Sequence, residues 1–144
     1  MNAENYMRLE FPARSVNEGF ARAAVTAFAA QLDPTVAEIG DIKTAVSEAV
    51  TNAVVHAYPK EIGIIQIRAR ILRDRVLELV VKDYGVGIDD ISKARMPLYT
   101  TGGPERSGMG FTIMESFMDV LRVRSRAGKG TTVTMRRRIR QRGQ

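Results

Sequence analysis

The sequence predicts an α+β domain: a two-layer sandwich in which a mixed, mostly antiparallel sheet carries its helices on one face. Three patterns carry that expectation. Ile64–Leu72 alternates apolar and polar residues, with Ile65, Ile67, Ala69 and Ile71 set against Gln66, Arg68 and Arg70, the period of a half-buried strand. Two stretches upstream repeat apolar residues at helical spacing. Strand-like segments also follow one another in pairs across short turns, so helices and strands are partly segregated.

The elements follow in order. Met7–Pro12 reads as a short strand with Leu9 and Phe11 on one face. Ser15, with Glu18 three residues later, forms a capping-box pattern for a first helix running to Gln31. Phe20, Ala24, Ala27 and Phe28 are its expected apolar stripe. Asp33-Pro34 supplies a cap and a first-turn proline for a second helix. Val36, Ile39, Ile42, Val46, Val50 and Val54 carry that helix to Ala57, and Pro59 stops it. Arg73-Asp74 turns the Ile64–Leu72 strand into a partner at Val76–Val81. From Asp83 to Ser107 the chain is glycine-rich and irregular, with a short turn near Ile91–Arg95. A third helix is expected over Gly108–Asp119, then strands over Val120–Arg126 and Thr131–Ile139, joined at Gly128-Lys129-Gly130.

At 144 residues, 44% hydrophobic and 26% charged, the chain has the size and make-up of one globular domain spanning 1–144. It contains no cysteine, which excludes a disulfide framework, a thiolate metal site and a cysteine nucleophile. No apolar run approaches the roughly 20 residues that span a bilayer. The opening MNAENYMRLEF lacks the basic-then-apolar pattern of a secretory signal, so a cytoplasmic location without membrane contact is expected.

Charge is unevenly placed. Residues 121–144 hold nine basic and no acidic residues, a balance of +9; the other 120 hold 13 basic and 16 acidic, or −3. That basic end raises a nucleic-acid reading. The same residues contain no Phe, Tyr or Trp on which bases could stack, so direct nucleic-acid contact is not expected. The end reads instead as a solvated sheet surface, with about 136–144 the part open to disorder.

Four short motifs could carry chemistry. Glu48 and Asn52 lie four apart on the second helix and share a face, with His56 continuing the row. Glu48 could accept a proton and the Asn52 amide oxygen could meet a hard cation such as Mg²⁺. Asp83-Tyr84-Gly85-Val86-Gly87 follows an apolar strand; an Asp there can accept from an amine while the two glycines let the backbone approach a ligand. Arg106-Ser107-Gly108-Met109-Gly110 opens a helix, where free N–H groups and a guanidinium suit an anion. The preceding Thr100-Thr101-Gly102-Gly103 could close over phosphates. Thr131 follows the last turn, near enough in the pattern for its hydroxyl to meet a base. Taken singly, each also has a plain structural reading as a solvated pair, a turn, a connector or a hairpin. The chain has no G-x-x-x-x-G-K-[ST] loop and none of the V-A-I-K, H-R-D and D-F-G set.

In this order and on these elements, the motifs resemble those of the GHKL (Bergerat) ATP-binding fold. Glu48-Ala-Val-Thr-Asn52 is similar to its N box, Asp83-x-Gly85-x-Gly87 to its G1 box, Gly108-x-Gly110 to its G2 box and Gly130-Thr131-Thr132 to its closing threonine motif. Phe11-Pro-Ala-Arg-Ser15, Asn17–Arg22, Gln31–Thr35, Pro97–Thr101 and Glu105–Glu115 further resemble the anti-sigma F factors of endospore-forming bacteria, from about Met7 to Arg137. That resemblance implies a homodimeric protein serine kinase that sequesters a sigma factor and phosphorylates an anti-anti-sigma partner. It implies Glu48 as the catalytic base and Asn52 as the Mg²⁺ ligand. It implies Asp83, Gly85, Gly87 and Thr131 at the nucleotide's base, and Thr100, Thr101, Arg106, Ser107, Gly108, Met109 and Gly110 at the ATP or ADP phosphates. It implies Arg22 at both protein partners. A stress-response anti-sigma kinase, acting on a different sigma factor, is the alternative with the same chemistry. The chain departs from the pattern at Gly102-Gly103, where relatives commonly carry a lysine, and in its Arg-rich end beyond Met135, which matches no motif of the family.

Overall fold

Strict alternation is the clearest instruction in this sequence, and the sheet obeys it. The computed structural model describes residues 3–58, 61–88 and 110–140. Its strands are β1 (Asn5–Pro12), β2 (Ile64–Leu72), β3 (Val76–Asp83), β4 (Val120–Arg126) and β5 (Gly130–Arg138). They lie in the order β1-β2-β3-β5-β4, and all four neighbouring pairs are antiparallel. The expected mixed sheet is thus antiparallel throughout the described residues. Register places Leu9, Ile67, Val81, Val133 and Val123 in one row across it, and Met7, Ala69, Leu79, Met135 and Leu121 in the next. Those rows belong to the core.

The helices α1 (Asn17–Ala29), α2 (Val36–Asn52) and α3 (Gly110–Phe117) complete the expected β-α-α-β-β-α-β-β order. In α1 the buried row is Ala21, Val25 and Ala29, while Phe20 is 55% exposed and Ala27 is also exposed. The apolar stripe expected at Phe20, Ala24, Ala27 and Phe28 is therefore displaced by one residue. Small side chains at i, i+4 and i+8 let α1 pack closely on α2; Phe20 turns outward, while Phe28 packs against the edge of the core. Ser15 does not cap this helix: Val16 stands at the cap position without a side-chain bond, and the Ser15 carbonyl accepts from Glu18 N–H at 3.2 Å.

The cap of α2 is also shifted. Asp33 sits in the left-handed region at φ 49°, closing the short 3-10 turn Ala30–Leu32. Thr35 is the true cap: its hydroxyl accepts from Glu38 N–H at 3.1 Å, and Glu38 accepts from Thr35 N–H at 2.9 Å. Val36 is 89% exposed, whereas Ile42, Val46 and Val50 are buried as expected. The last turn, Ala53–Ala57, widens into a π turn. Pro59 and Ile91–Arg95 lie outside the described residues, as does the start of the expected Gly108–Asp119 helix.

Opposite the helices the sheet is polar and basic. One row across it reads Tyr6, Arg70, Glu78, Arg136 and Val120, the next Arg8, Arg68, Val80, Thr134 and Arg122. Glu78 is only 2% exposed there, and it accepts from Arg70 Nε at 2.8 Å and Arg136 Nε at 2.9 Å. Burial alone would raise its carboxyl, but these bonds prevail and hold it below the usual carboxylate range. The residues following β5 are fastened as well. Ile139 is 1% exposed and donates its N–H to Arg75 O at 2.9 Å; Arg140 N–H donates to Glu38 Oε2 at 2.9 Å. Arg75 returns its guanidinium to the carbonyls of Leu32, Ile139 and Arg140. The first five of the residues 136–144 are thus part of the fold.

Candidate functional site

The site is assembled where β3 ends. Asp83 is the last residue of that strand and is 6% exposed. Its Oδ1 accepts two backbone N–H groups, from Gly85 at 3.0 Å and from Thr131 at 3.2 Å. Burial pushes the carboxyl up, and those two donors pull it back; the net direction is upward. Both donors end on one oxygen, which leaves Oδ2 as the atom a ligand's N–H can reach.

The loop after Asp83 is held tightly. A Cβ on Gly85 would stand 2.0 Å from Ala57 O, so only glycine lets this backbone pass the end of the π turn. Val86 N–H then donates to that same Ala57 O at 2.9 Å, and Gly128 N–H donates to Val86 O at 2.7 Å. Gly87 takes φ +79° beside the Arg126 carbonyl. The loop is therefore latched to α2 on one side and to the β4–β5 turn on the other.

Asn52 closes α2 immediately before the π turn, with Glu48 one turn earlier and half-buried. Gly110 heads α3 and packs directly on Asn52: a Cβ on Gly110 would lie 2.9 Å from both Oδ1 and Nδ2 of its amide. The first described residue of α3 thus stands against a side-chain amide whose oxygen suits a hard cation. His56 lies within the π turn. Arg22 sits on α1 facing α2, donating to Glu18 at 3.0 Å and to the Ser47 hydroxyl at 3.3 Å, next in sequence to Glu48.

Among the predicted site residues, the structure gathers Asp83, Gly85, Gly87 and Thr131 at one end of the sheet, and Asn52 with Gly110 across the π turn. Thr100, Thr101, Arg106, Ser107, Gly108 and Met109 lie outside the described residues. Two further residues belong to the site and escaped the sequence. Tyr58 accepts from Tyr84 N–H at 2.7 Å and donates to Ile64 O at 2.7 Å, which fixes the peptide just after Asp83. Burial raises its phenol, with the neighbouring Asp83 charge adding to the rise. Ser125 on β4 contacts Thr131 Oγ1 at 2.9 Å and accepts from Ile88 N–H at 2.7 Å. Neither gives a local signal, because the partners that tie them to the loop after Asp83, Tyr84 and Ile88, stand 26 and 37 residues away.

The donor set suits a purine nucleotide bearing an exocyclic amine. A carboxylate oxygen closes the strand end, glycines permit close backbone approach, and α3 packs its Gly110 against the Asn52 amide. Among the described residues no cluster of three or more His, Cys, Asp or Glu forms a metal cage, so any cation here would lean on Asn52 and on its ligand's own oxygens.

The histidine kinase-like ATPase domain family matches residues 11–137. The anti-sigma F factor of Caldanaerobacter subterraneus subsp. tengcongensis is 58% identical over 140 residues, covering 96% of this chain and 97% of its own. That of Geobacillus kaustophilus is 57% identical, covering 94% and 93%. Among solved structures, the RsbU and RsbW domains of Rv1364c from Mycobacterium tuberculosis superpose with a TM-score of 0.68 at 23% identity. That match covers 94% of this chain and 32% of the other, a likeness of fold.

Proposed function

Since the chain belongs to the anti-sigma F factors, within the histidine kinase-like ATPase family, we propose that it binds a sigma factor of the F type and phosphorylates a serine of an anti-anti-sigma partner. The observation that supports the kinase half is the meeting of Asn52, from the Glu48-x-x-x-Asn52 row, with Gly110 of α3.

Each residue then has a role. Asp83 accepts the adenine amine through Oδ2, while Gly85 and Thr131 hold the carboxylate in place. Asn52 offers its amide oxygen to Mg²⁺, which when bound would neutralise phosphate charge. Glu48, a turn from Asn52 on the same face, takes the proton of the substrate serine hydroxyl. Phosphoryl transfer needs positioning and charge stabilisation more than covalent chemistry, and these elements can supply both. Arg22, half-buried on α1 between Glu18 and Ser47, is the contact for the protein partners. The assembly is a homodimer. Among the described residues no helix is long and apolar enough to cross a membrane.

The test is to mix the protein with Mg·ATP and a candidate anti-anti-sigma protein and map phosphoserine by mass spectrometry. Glu48→Ala should keep ATP affinity and lose phosphorylation by about two orders of magnitude or more, the weight of general-base catalysis. Unchanged turnover in that variant would remove Glu48 from the mechanism; no phosphoserine with the wild type would remove the kinase assignment.

A further inference from the structure

We propose that Tyr58 is a positioning residue for the nucleotide: its hydroxyl wedges open the end of the β2–β3 ladder and so holds the Asp83 carboxylate in the setting that receives the adenine amine. Its role rests on the nucleotide reading above and deepens it, since Tyr58 acts only through Asp83.

Register shows where the wedge sits. Ile65 faces Asp83 in the pair that ends the ladder, so one step further Ile64 would face Tyr84. A direct bond from the Tyr84 N–H to the Ile64 carbonyl would make that pair. Instead both groups end on Tyr58 Oη. It accepts from Tyr84 N–H at 2.7 Å and donates its single hydrogen to Ile64 O at 2.7 Å. The proton assignment is fixed, because one partner is an N–H and the other a carbonyl. The two strands are thereby held a hydroxyl apart at the point where β3 ends. The ring is held in turn: a Cβ on Gly63 would lie 2.1 Å from it, so the phenol fills the space in which any other residue at 63 would place its side chain.

Three successive peptides after Asp83 are fixed one by one. Tyr58 takes the Tyr84 N–H, Asp83 Oδ1 takes the Gly85 N–H and Ala57 O takes the Val86 N–H. Asp83 makes the middle bond, to the N–H two residues on, and that turn closes only while the peptide between Asp83 and Tyr84 keeps its setting. Tyr58 sets that peptide. Two of the three holds come from adjacent residues, 57 and 58, at the end of the π turn that begins after Asn52. Without the hydroxyl, Tyr84 N–H and Ile64 O are either left unpaired or free to close on each other, and both outcomes shift the peptide that carries Asp83.

The test is a double-mutant cycle on ATP binding, read by titration calorimetry of the full chain as wild type, Tyr58→Phe, Asp83→Asn and the double variant. Tyr58→Phe keeps the ring beside Gly63 and removes only the hydroxyl. It should weaken ATP binding about tenfold, on the scale of one hydrogen bond, at an unchanged stoichiometry. In the Asp83→Asn background the same change should cost less than about twofold, because the bond that Tyr58 positions is already gone. Gly63→Ala, which pushes the ring aside and keeps the hydroxyl, stands in for Tyr58→Phe where that variant does not fold, with the same expected pattern. Hydrogen exchange of the ligand-free protein adds a direct readout: the Tyr84 amide should exchange about tenfold faster, or more, in Tyr58→Phe. Equal losses in both backgrounds, a lower stoichiometry at wild-type affinity, or an unchanged Tyr84 amide would each mark a role in the fold alone and overturn the proposal. Wild-type ATP affinity in Asp83→Asn would instead fail the adenine reading of Asp83, and the role of Tyr58 with it.

Discussion

Asp83→Asn separates binding from folding because the two uses of this carboxylate fall on different oxygens. Oδ1 holds the loop, accepting Gly85 N–H at 3.0 Å and Thr131 N–H at 3.2 Å. An asparagine can keep that oxygen where it is, since turning the amide would aim its NH₂ at two other N–H donors. What changes is the second position, where an acceptor becomes a donor facing the proposed place of the adenine amine. Losing a charge-assisted hydrogen bond removes about 1.5–3 kcal/mol, or roughly 10- to 150-fold in ATP affinity. Stability moves the other way. The folded carboxyl lies above its ordinary range, so the fold binds that proton more tightly than the unfolded chain does. Its contribution is therefore favourable at low pH and is lost as pH rises through the folded value, leaving ionised Asp83 a net cost at neutral pH. The neutral amide removes that cost. Titration calorimetry and thermal melts of the ligand-free protein at pH 7 are the assays, with weaker ATP binding and an equal or higher Tm expected together. Wild-type ATP affinity in Asp83→Asn, or a Tm well below wild type, refutes the division of labour between the two oxygens.

Two stability predictions complete the set. Glu78→Gln should cost about 1–3 kcal/mol at pH 7 by urea unfolding, less than a sealed ion pair because Arg70 and Arg136 both reach water. Its carboxyl is held below the ordinary range in the fold, so the wild type should lose this contribution as pH falls through that lowered value, while the variant's acid limb should be shallower. Thr35→Ala should cost about 1 kcal/mol by opening the capping box, read as a lower urea midpoint with an unchanged slope.

The sheet was legible because it has a period. β2 begins and ends where its alternation does, and β4 spans the residues its pattern marks. Helix faces and caps were harder. Thr35-x-x-Glu38 carries a capping-box signature, but Asp33-Pro34 offers a rival one two residues earlier. The rival loses because the chain needs a left-handed residue at Asp33 to leave the Ala30–Leu32 turn. In α1 the rule that larger apolar residues face inward misleads, since closeness to α2 favours alanine over phenylalanine. For the site, the motif residues Asp83, Gly85, Gly87 and Asn52 stand out through residue type and spacing. Tyr58 and Ser125 do not, because each is defined by a partner the fold brings from far along the chain.

The strand order carries a cost for synthesis. β5 is made after β4 yet lies between β4 and β3, in the interior of the sheet. While a ribosome is still extending the chain short of residue 130, β3 keeps an unpaired edge and β4 has no strand to join. The pairing rows that pass through Val133 and Met135 remain open, and so does the strap from Ile139 and Arg140 to Arg75 and Glu38. Nascent chains stalled before Val133 should therefore be exposed to proteases and to chaperones in a way that chains released past Arg140 are not. The proposed nucleotide end of the sheet, which needs Thr131 against Asp83, would be among the last parts of the molecule to take shape.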